Sequence, residues 1–486
     1  NVAIGYQCGL FVGVGAENNV LIGYECAKAA TGTSNEFVGD NNTYIGYQCG
    51  LVNTGGSENV GIGTNCLDSN TTGYQNVAIG KECLQTNISG HSNVAMGYQS
   101  LYSNTASNNT AIGYKCSYWN SNGNSNVAIG YQCLMGETNV YTQTNANVAI
   151  GYQCGLFVGN QAQNNVLIGY ECAKGTTGAG EFVGDNNTYI GYQCGLVNTG
   201  GFANVGIGTQ CLYSNTTGFQ NVALGRECLH SNTTGFQNVS MGYRTLYHSV
   251  FGISNVAIGH QALYFSTNSV INVAIGRQAL YNTTTGSNNT ALGYQSSFCN
   301  INGNSNISMG YQSLYWNSDG NLNTSIGYQS LYSNTASNNT AIGYQCSYWN
   351  STGQFNTAIG YKCLMGETNV YTQTNANVAI GYQCGLFVGA GAENNVLIGY
   401  ECAKAATGTS NEFVGDNNTY IGYQCGLVNI GGSENVGIGT NCLDSNTTGY
   451  QNVAIGKECL QTNISGHSNV AMGYQSLYSN TASNNT

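Results

Sequence analysis

Along this chain, short runs in which aliphatic residues alternate with small ones recur at a nearly fixed interval. Each run is led by Asn and closed by Gly, as in Asn76-Val77-Ala78-Ile79-Gly80. A period of two marks a strand whose successive side chains point to opposite faces. A second short run follows, such as Tyr98-Gln99-Ser100-Leu101-Tyr102, and then a polar closure such as Asn70-Thr71-Thr72-Gly73. In such closures left-handed backbone angles cost little. No stretch carries the 3.6-residue stripe of an amphipathic helix. The unit starts at Asn1, Asn19, Asn42, Asn59, Asn76, Asn93 and Asn109 and continues to Asn485. Its spacing is most often 17 residues, and from Asn187 to Asn323 it is 17 without exception. Seventeen residues fit two short strands and two turns, so the pattern predicts an all-β chain. Its fold class is a β-solenoid or β-roll whose coils stack parallel and in register. The longer coils, such as Asn19 to Asn42 and Asn126 to Asn147, are expected to bulge as loops.

A second period lies above the first. Residues 1–110 return at 377–486 with two substitutions, Val14 to Ala390 and Thr54 to Ile430, and a shorter match begins at Asn147. The expectation is one continuous run of coils over 1–486. Because it opens on Asn1 and closes on Thr486 inside a repeat, it is expected to be a window of a longer polypeptide. Duplicated blocks point to selection on length and regularity, whereas an enzyme needs one asymmetric site.

Stacked coils lie about 4.8 Å apart, so each position in the unit becomes an axial ladder. The leading Asn, for example Asn76, Asn93 and Asn109, is expected to form a ladder of stacked amides, as in cross-β assemblies. The aliphatic pair, such as Val2 and Ile4, with Ile79 in its own coil, is expected to form the apolar core. Nineteen of the 20 cysteines fall at the eighth position, among them Cys66, Cys83, Cys116 and Cys133; Cys299 is the exception. Ser100, Thr245, Ala262 and Ser330 replace them in other coils, so the site demands small volume and is expected to be buried. Disulfides between neighbouring coils are disfavoured, because parallel Cβ vectors hold Cβ atoms near 4.8 Å, beyond the preferred ~3.8 Å. In an oxidising space, bridges between chains stay open. Tyr98, Tyr114 and Tyr131 form a further ladder at the sixth position, and Tyr102 belongs to another. With an apolar body and a polar tip, Tyr suits half-buried faces that pack chain on chain or meet sugar rings.

Composition narrows the function. Only 6% of residues are charged, the formal net charge is −11, and Pro is absent. There is no basic patch for nucleic acid. No apolar run approaches the roughly 20 residues of a membrane span. The five histidines are scattered without a Ser/Asp or Cys/Asp partner at catalytic spacing, and Gly13-Val14-Gly15 lacks the rest of a phosphate-binding loop. Neither a catalytic role nor a cofactor is expected. The best candidates for a metal are the acidic pairs Glu36/Asp40, Glu181/Asp185 and Glu412/Asp416, whose carboxylates beside Asn could hold Ca²⁺; solvated loop charge is the plainer alternative. Asn-x-Ser/Thr sequons at Asn70, Asn87, Asn215, Asn232 and Asn446 would be open to glycosylation in a eukaryotic secretory route.

The string Asn-x-Ala-Ile-Gly-x-x-Ser/Ala/Cys, as in Asn109 to Cys116 and Asn272 to Ala279, resembles the head repeats of trimeric autotransporter adhesins. Asn323-Thr324-Ser325-Ile326-Gly327-Tyr328-Gln329-Ser330 is similar to repeats of phage and viral tail-fibre proteins. The resemblance covers essentially the whole chain. It implies a left-handed β-roll, often trimeric, displayed on a cell or virion surface for adhesion or reach. The function expected is a structural extracellular fibre or filament shaft that associates with copies of itself. An adhesin or receptor-binding fibre that recognises surface glycans is the alternative.

Overall fold

A computed structural model describes residues 1–29, 36–136, 144–175, 182–366, 374–405 and 413–486. They form two compact units, Asn1–Phe251 and Gly252–Thr486. Among the described residues the first unit holds fourteen strands, β1 (Val2–Ile4) through β14 (Val239–Met241). The second holds thirteen, β15 (Val256–Ile258) through β27 (Val470–Met472). No helix occurs among the described residues. Each unit is thus a parallel β-solenoid of coils about 17 residues long.

Within a unit, each strand pairs with its counterpart one coil on, in parallel and residue for residue: Val77↔Val94, Ala78↔Ala95, Ile79↔Met96. The same register holds across a long coil, where Val20 pairs with Thr43 and Tyr24 with Tyr47. The extra length of that coil therefore does not shift the register of the sheet. The fifth-position glycine explains part of this fidelity. Gly80 has φ +128°, and a Cβ there would lie 2.2 Å from the carbonyl oxygen of Gly97. The backbones approach too closely for any side chain.

The second run of the coil does not form the second strand expected. One strand per coil is regular, and the following residues alternate between right- and left-handed angles, with Glu82 at φ 60° and Leu84 at φ 50°. The axial bonds persist all the same: Glu82 N–H donates to Thr64 O at 2.8 Å and Leu84 N–H to Ser100 O at 3.1 Å. Every second residue still bonds a neighbouring coil, so the backbone accounting of a sheet is met without strand geometry.

The aliphatic residues occupy the opposite face from the one expected. Ala78, Ala95 and Ala111 at the third position are fully buried, whereas Val77 and Ile79 on either side are only partly covered. Ile207 and Ile275 remain 40% and 39% exposed. Val2 and Ile4 likewise lie on the outer surface. The reason is steric. The inside of a coil is lined by the first-, third-, eighth-, ninth- and twelfth-position residues, chiefly Asn, Ala, Cys, Leu and Asn. Position three must be small to face them, and the pleat then turns positions two and four outward.

Larger interior residues are accommodated by exchange of volume. Tyr44, Tyr189 and Tyr420 take the third position in one coil of each long block and are fully buried. Around Tyr44, the ninth position of the same coil is Gly50 and the third position of the next is Gly61. A Cβ on Gly50 would sit 2.7 Å from the Tyr44 ring, and one on Gly61 2.9 Å from it. Tyr189 with Gly195 and Gly206, and Tyr420 with Gly426 and Gly437, repeat the arrangement.

Candidate functional site: the side-chain ladders

The chemistry-bearing side chains are distributed as ladders, and each follows from register. The leading Asn forms the most regular one. Asn93 donates both its backbone N–H and its Nδ2–H to Asn76 Oδ1, at 3.1 and 3.0 Å, and a further Nδ2–H to Ala106 O at 2.9 Å. Asn109 N–H repeats the step onto Asn93 Oδ1 at 2.9 Å. The ladder crosses long coils unchanged, with Asn42 N–H to Asn19 Oδ1 at 2.8 Å. These amides are almost wholly buried, and each replaces hydration with bonds along the axis.

A second Asn ladder, at the twelfth position, is not apparent from the strand pattern. Asn87 Nδ2–H donates to Asn70 Oδ1 at 2.8 Å and to Gly90 O at 2.9 Å. Asn232 does the same toward Asn215 and Gly235. The sequon asparagines Asn70, Asn87, Asn215, Asn232 and Asn446 all belong to this ladder and are fully buried. A third amide ladder runs through the seventh position, where Gln295, Gln312 and Gln329 each donate to the Gln one coil before, at 2.9, 2.9 and 3.0 Å. The recurrence of Gln at that position is the signal that reveals it.

The eighth-position thiols lie inside the coil as expected. Cys66, Cys83, Cys116 and Cys133 are fully buried, and all cysteines are free. Small volume is the common requirement, since Ala262 and Ala279 fill the position without a donor, but where a thiol is present its S–H is used. Cys83 Sγ–H donates to Gly97 O at 2.7 Å, and Cys116 and Cys133 donate to Gly130 O and Gly151 O. Ser100 makes the same bond to Gly113 O at 2.7 Å. Ser100 thus matches Cys83 both in size and as a donor. Burial pushes the Cys83 thiol up to about 12, so at neutral pH it stays protonated and unreactive.

The outer ladders are aromatic. Tyr98, Tyr114 and Tyr131 stack with ring centroids 5.4 and 5.0 Å apart, and the run continues through Tyr152 and Tyr170 to Tyr192. Tyr102 stacks on Tyr118 at 4.8 Å in a separate row. The rings are nearly parallel, within 15°. At that spacing each face is covered by the next ring, which leaves edges and phenol oxygens to solvent. Cations close the starts of these runs: Lys81 lies 5.8 Å from the Tyr98 centroid and Arg277 5.9 Å from that of Tyr294.

Of the acidic pairs, Glu181 and Glu412 lie outside the described residues. Glu36 is exposed. Asp40, Asp185 and Asp416 have a structural partner: each Oδ1 accepts a backbone N–H from the preceding coil, of Glu17, Gln163 and Glu393 respectively, all at 2.8 Å. Asn124 accepts from Ser107 in the same manner. Among the described residues no group of three or more His, Cys, Asp or Glu side chains is placed to hold a metal. No helix among them is long and apolar enough to cross a membrane. The chain matches no protein-family model, and no curated protein sequence matches it.

Proposed function

We propose that this chain is the shaft of an extracellular fibre or filament, on a cell or virion surface, and that it associates side by side with copies of itself. The observation that carries this is the outward face of the strands. Its second position is Val, Thr or Ile and its fourth Ile, Leu or Met in every coil, with no charge in either row. Six of the fourteen strands in the first unit span five residues and eight span three, and with a coil rise of about 4.8 Å their outward face covers ~850 Å². A standard interface needs about 800 Å² from each partner. An uncharged apolar strip of that size is unusual on a surface that meets only water. A partner must repeat at the same axial interval, and a second copy of the chain does so. The buried amide ladders support the shaft role, because within each unit successive coils bond through the same groups.

Ile207→Lys and Ile275→Lys, one in each unit, test the reading on the full chain. Both side chains point outward, so protease resistance is expected to persist while assemblies seen by electron microscopy and sedimentation fall to single chains. Unchanged assembly in the double variant would overturn the lateral association. Glycan-array binding that is lost on substitution of Tyr98 and Tyr114 would favour the adhesin instead.

A further inference from the structure

Two features of the interior bear on where this chain can fold, and neither depends on its role as a shaft. The first is the thiol ladder. Seven successive coils from Cys116 to Cys228, and seven more from Cys346 to Cys459, each place one thiol inside, with no disulfide anywhere among the described residues. Most donate their S–H to a glycine oxygen of the next coil, as Cys116 does to Gly130 O and Cys154 to Gly169 O, and lose that bond on oxidation. Adjacent in-register Cβ atoms lie too far apart for an unstrained bridge. Once the coil is closed the thiols are fully buried and protected. Before closure they are ordinary free thiols spaced roughly 17–23 residues apart on a flexible chain. Glutathione disulfide would then convert two of them to one S–S bond, with release of two glutathione thiols. Any such bridge prevents both coils from closing in register.

The second feature is the twelfth-position Asn ladder. Asn70, Asn87, Asn215, Asn232 and Asn446 lie in glycosylation sequons, yet their amides are fully buried. Asn232 uses both hydrogens of Nδ2, toward Asn215 Oδ1 at 2.8 Å and Gly235 O at 3.0 Å. N-glycosylation acts on the chain before it folds. Nδ2 gives up one hydrogen and bonds to the anomeric carbon of a lipid-diphosphate-linked oligosaccharide, and the lipid diphosphate leaves. The modified amide lacks one of the two donors it needs, and the coil interior has no room for a sugar.

We infer that the coils must close in a reducing compartment without N-glycosylation machinery, before any transfer to an oxidising surface. Folding first and display second reconciles twenty free cysteines with a place outside the cell. The order is decided at the level of the unfolded chain, since the closed coil shields both groups.

The test uses the full chain. Native protein held with glutathione disulfide is expected to keep its free thiols and its protease resistance. Denatured protein is expected to refold with dithiothreitol and to lose several-fold in protease-resistant yield when refolded with glutathione disulfide instead. A variant with the nineteen ladder cysteines replaced by serine should refold alike in both. In eukaryotic cells, the chain without a secretion signal should accumulate folded. With an appended signal it should carry glycan at Asn215 or Asn232 by peptide mass spectrometry and be degraded. Equal wild-type refolding yield in both buffers overturns the thiol half. Protease-resistant coils in the signal-bearing form, whether those asparagines carry glycan or are bare, overturn the inference even if refolding in vitro fails in every buffer.

Discussion

The exchange of volume around Tyr44 yields a quantitative prediction. In ordinary coils the third position is Ala and the ninth Leu, as in Ala78 and Leu84, both fully buried. In the Tyr44 coil the ring fills the space that Leu would occupy, and Gly50 stands in the ninth position. Tyr44→Ala removes the ring without a replacement, a loss of about 3–5 kcal/mol by comparison with buried aromatic truncations. The Asn53 Nδ2 bond to Tyr44 Oη, at 3.0 Å, goes with it, although Asn53 keeps its bond to Gly56 O. Gly50→Leu alone drives a side chain into the ring, with the first added atom only 2.7 Å from it, and overpacking of this kind costs about 1–3 kcal/mol. The double variant should recreate an ordinary coil. Position 50 has φ +62°, and Leu84 already adopts φ 50° at the equivalent place, so the backbone admits Leu. Burying that Leu is worth about 1.5–3 kcal/mol. The two changes are therefore expected to couple favourably by at least ~2 kcal/mol, the double being more stable than the Tyr44→Ala single. Hydrogen exchange read by mass spectrometry at the Gly50 and Val52 amides, which bond Cys66 O and Asp68 O in the next coil, reports the local opening free energy. Additive losses in the double variant would show that the two sites do not share one space.

Other outcomes follow from the ladders. Ala78→Asp should unfold the surrounding coils to protease, because an unpaired carboxylate would be buried, whereas Ile79→Lys, directed outward, should leave protease resistance intact. Asn76→Ala orphans the Asn93 backbone N–H and should cost about 1–3 kcal/mol per unsatisfied group, visible as faster hydrogen exchange in the two flanking coils. Alkaline pH should destabilise the fold. The Cys83 thiol rises to about 12 on burial. In the unfolded chain it titrates near 8.5. The folded value is the higher, so its stabilising effect is complete below about pH 8.5 and declines as pH climbs toward 12. Cys83 contributes up to about 1.4 kcal/mol per pH unit across that window. Urea titrations at pH 7 and 10.5 would register it, and a Cys-to-Ser ladder would show a shallower decline. Iodoacetamide should label few cysteines in native protein at neutral pH, Cys8 and Cys299 first, since these two are only partly buried.

Period and register were written in the chain. A 17-residue repeat with a two-residue alternation determines that like residues stack, and from stacking alone come the leading Asn ladder, the buried small eighth position and the Tyr rows. One further step was available and decides the facing of the strand: Asn76 and Ala78 share a face, so a buried amide at the first position already turns Val77 and Ile79 outward. Hydrophobicity alone points the other way, because a long aliphatic side chain is normally a core residue. What only the tertiary structure settled is the size and shape of the space inside one coil. That space depends on where the corners turn, and the turning angles belong to the alternating left-handed residues of the second run. Seen along the sequence, that run looks like another strand. The narrow interior then makes Cys a donor, gives Asn87 an axial partner, and pairs Tyr44 with glycines six and seventeen residues away. Local pattern encodes the ladder, but the cross-section is a property of the closed loop.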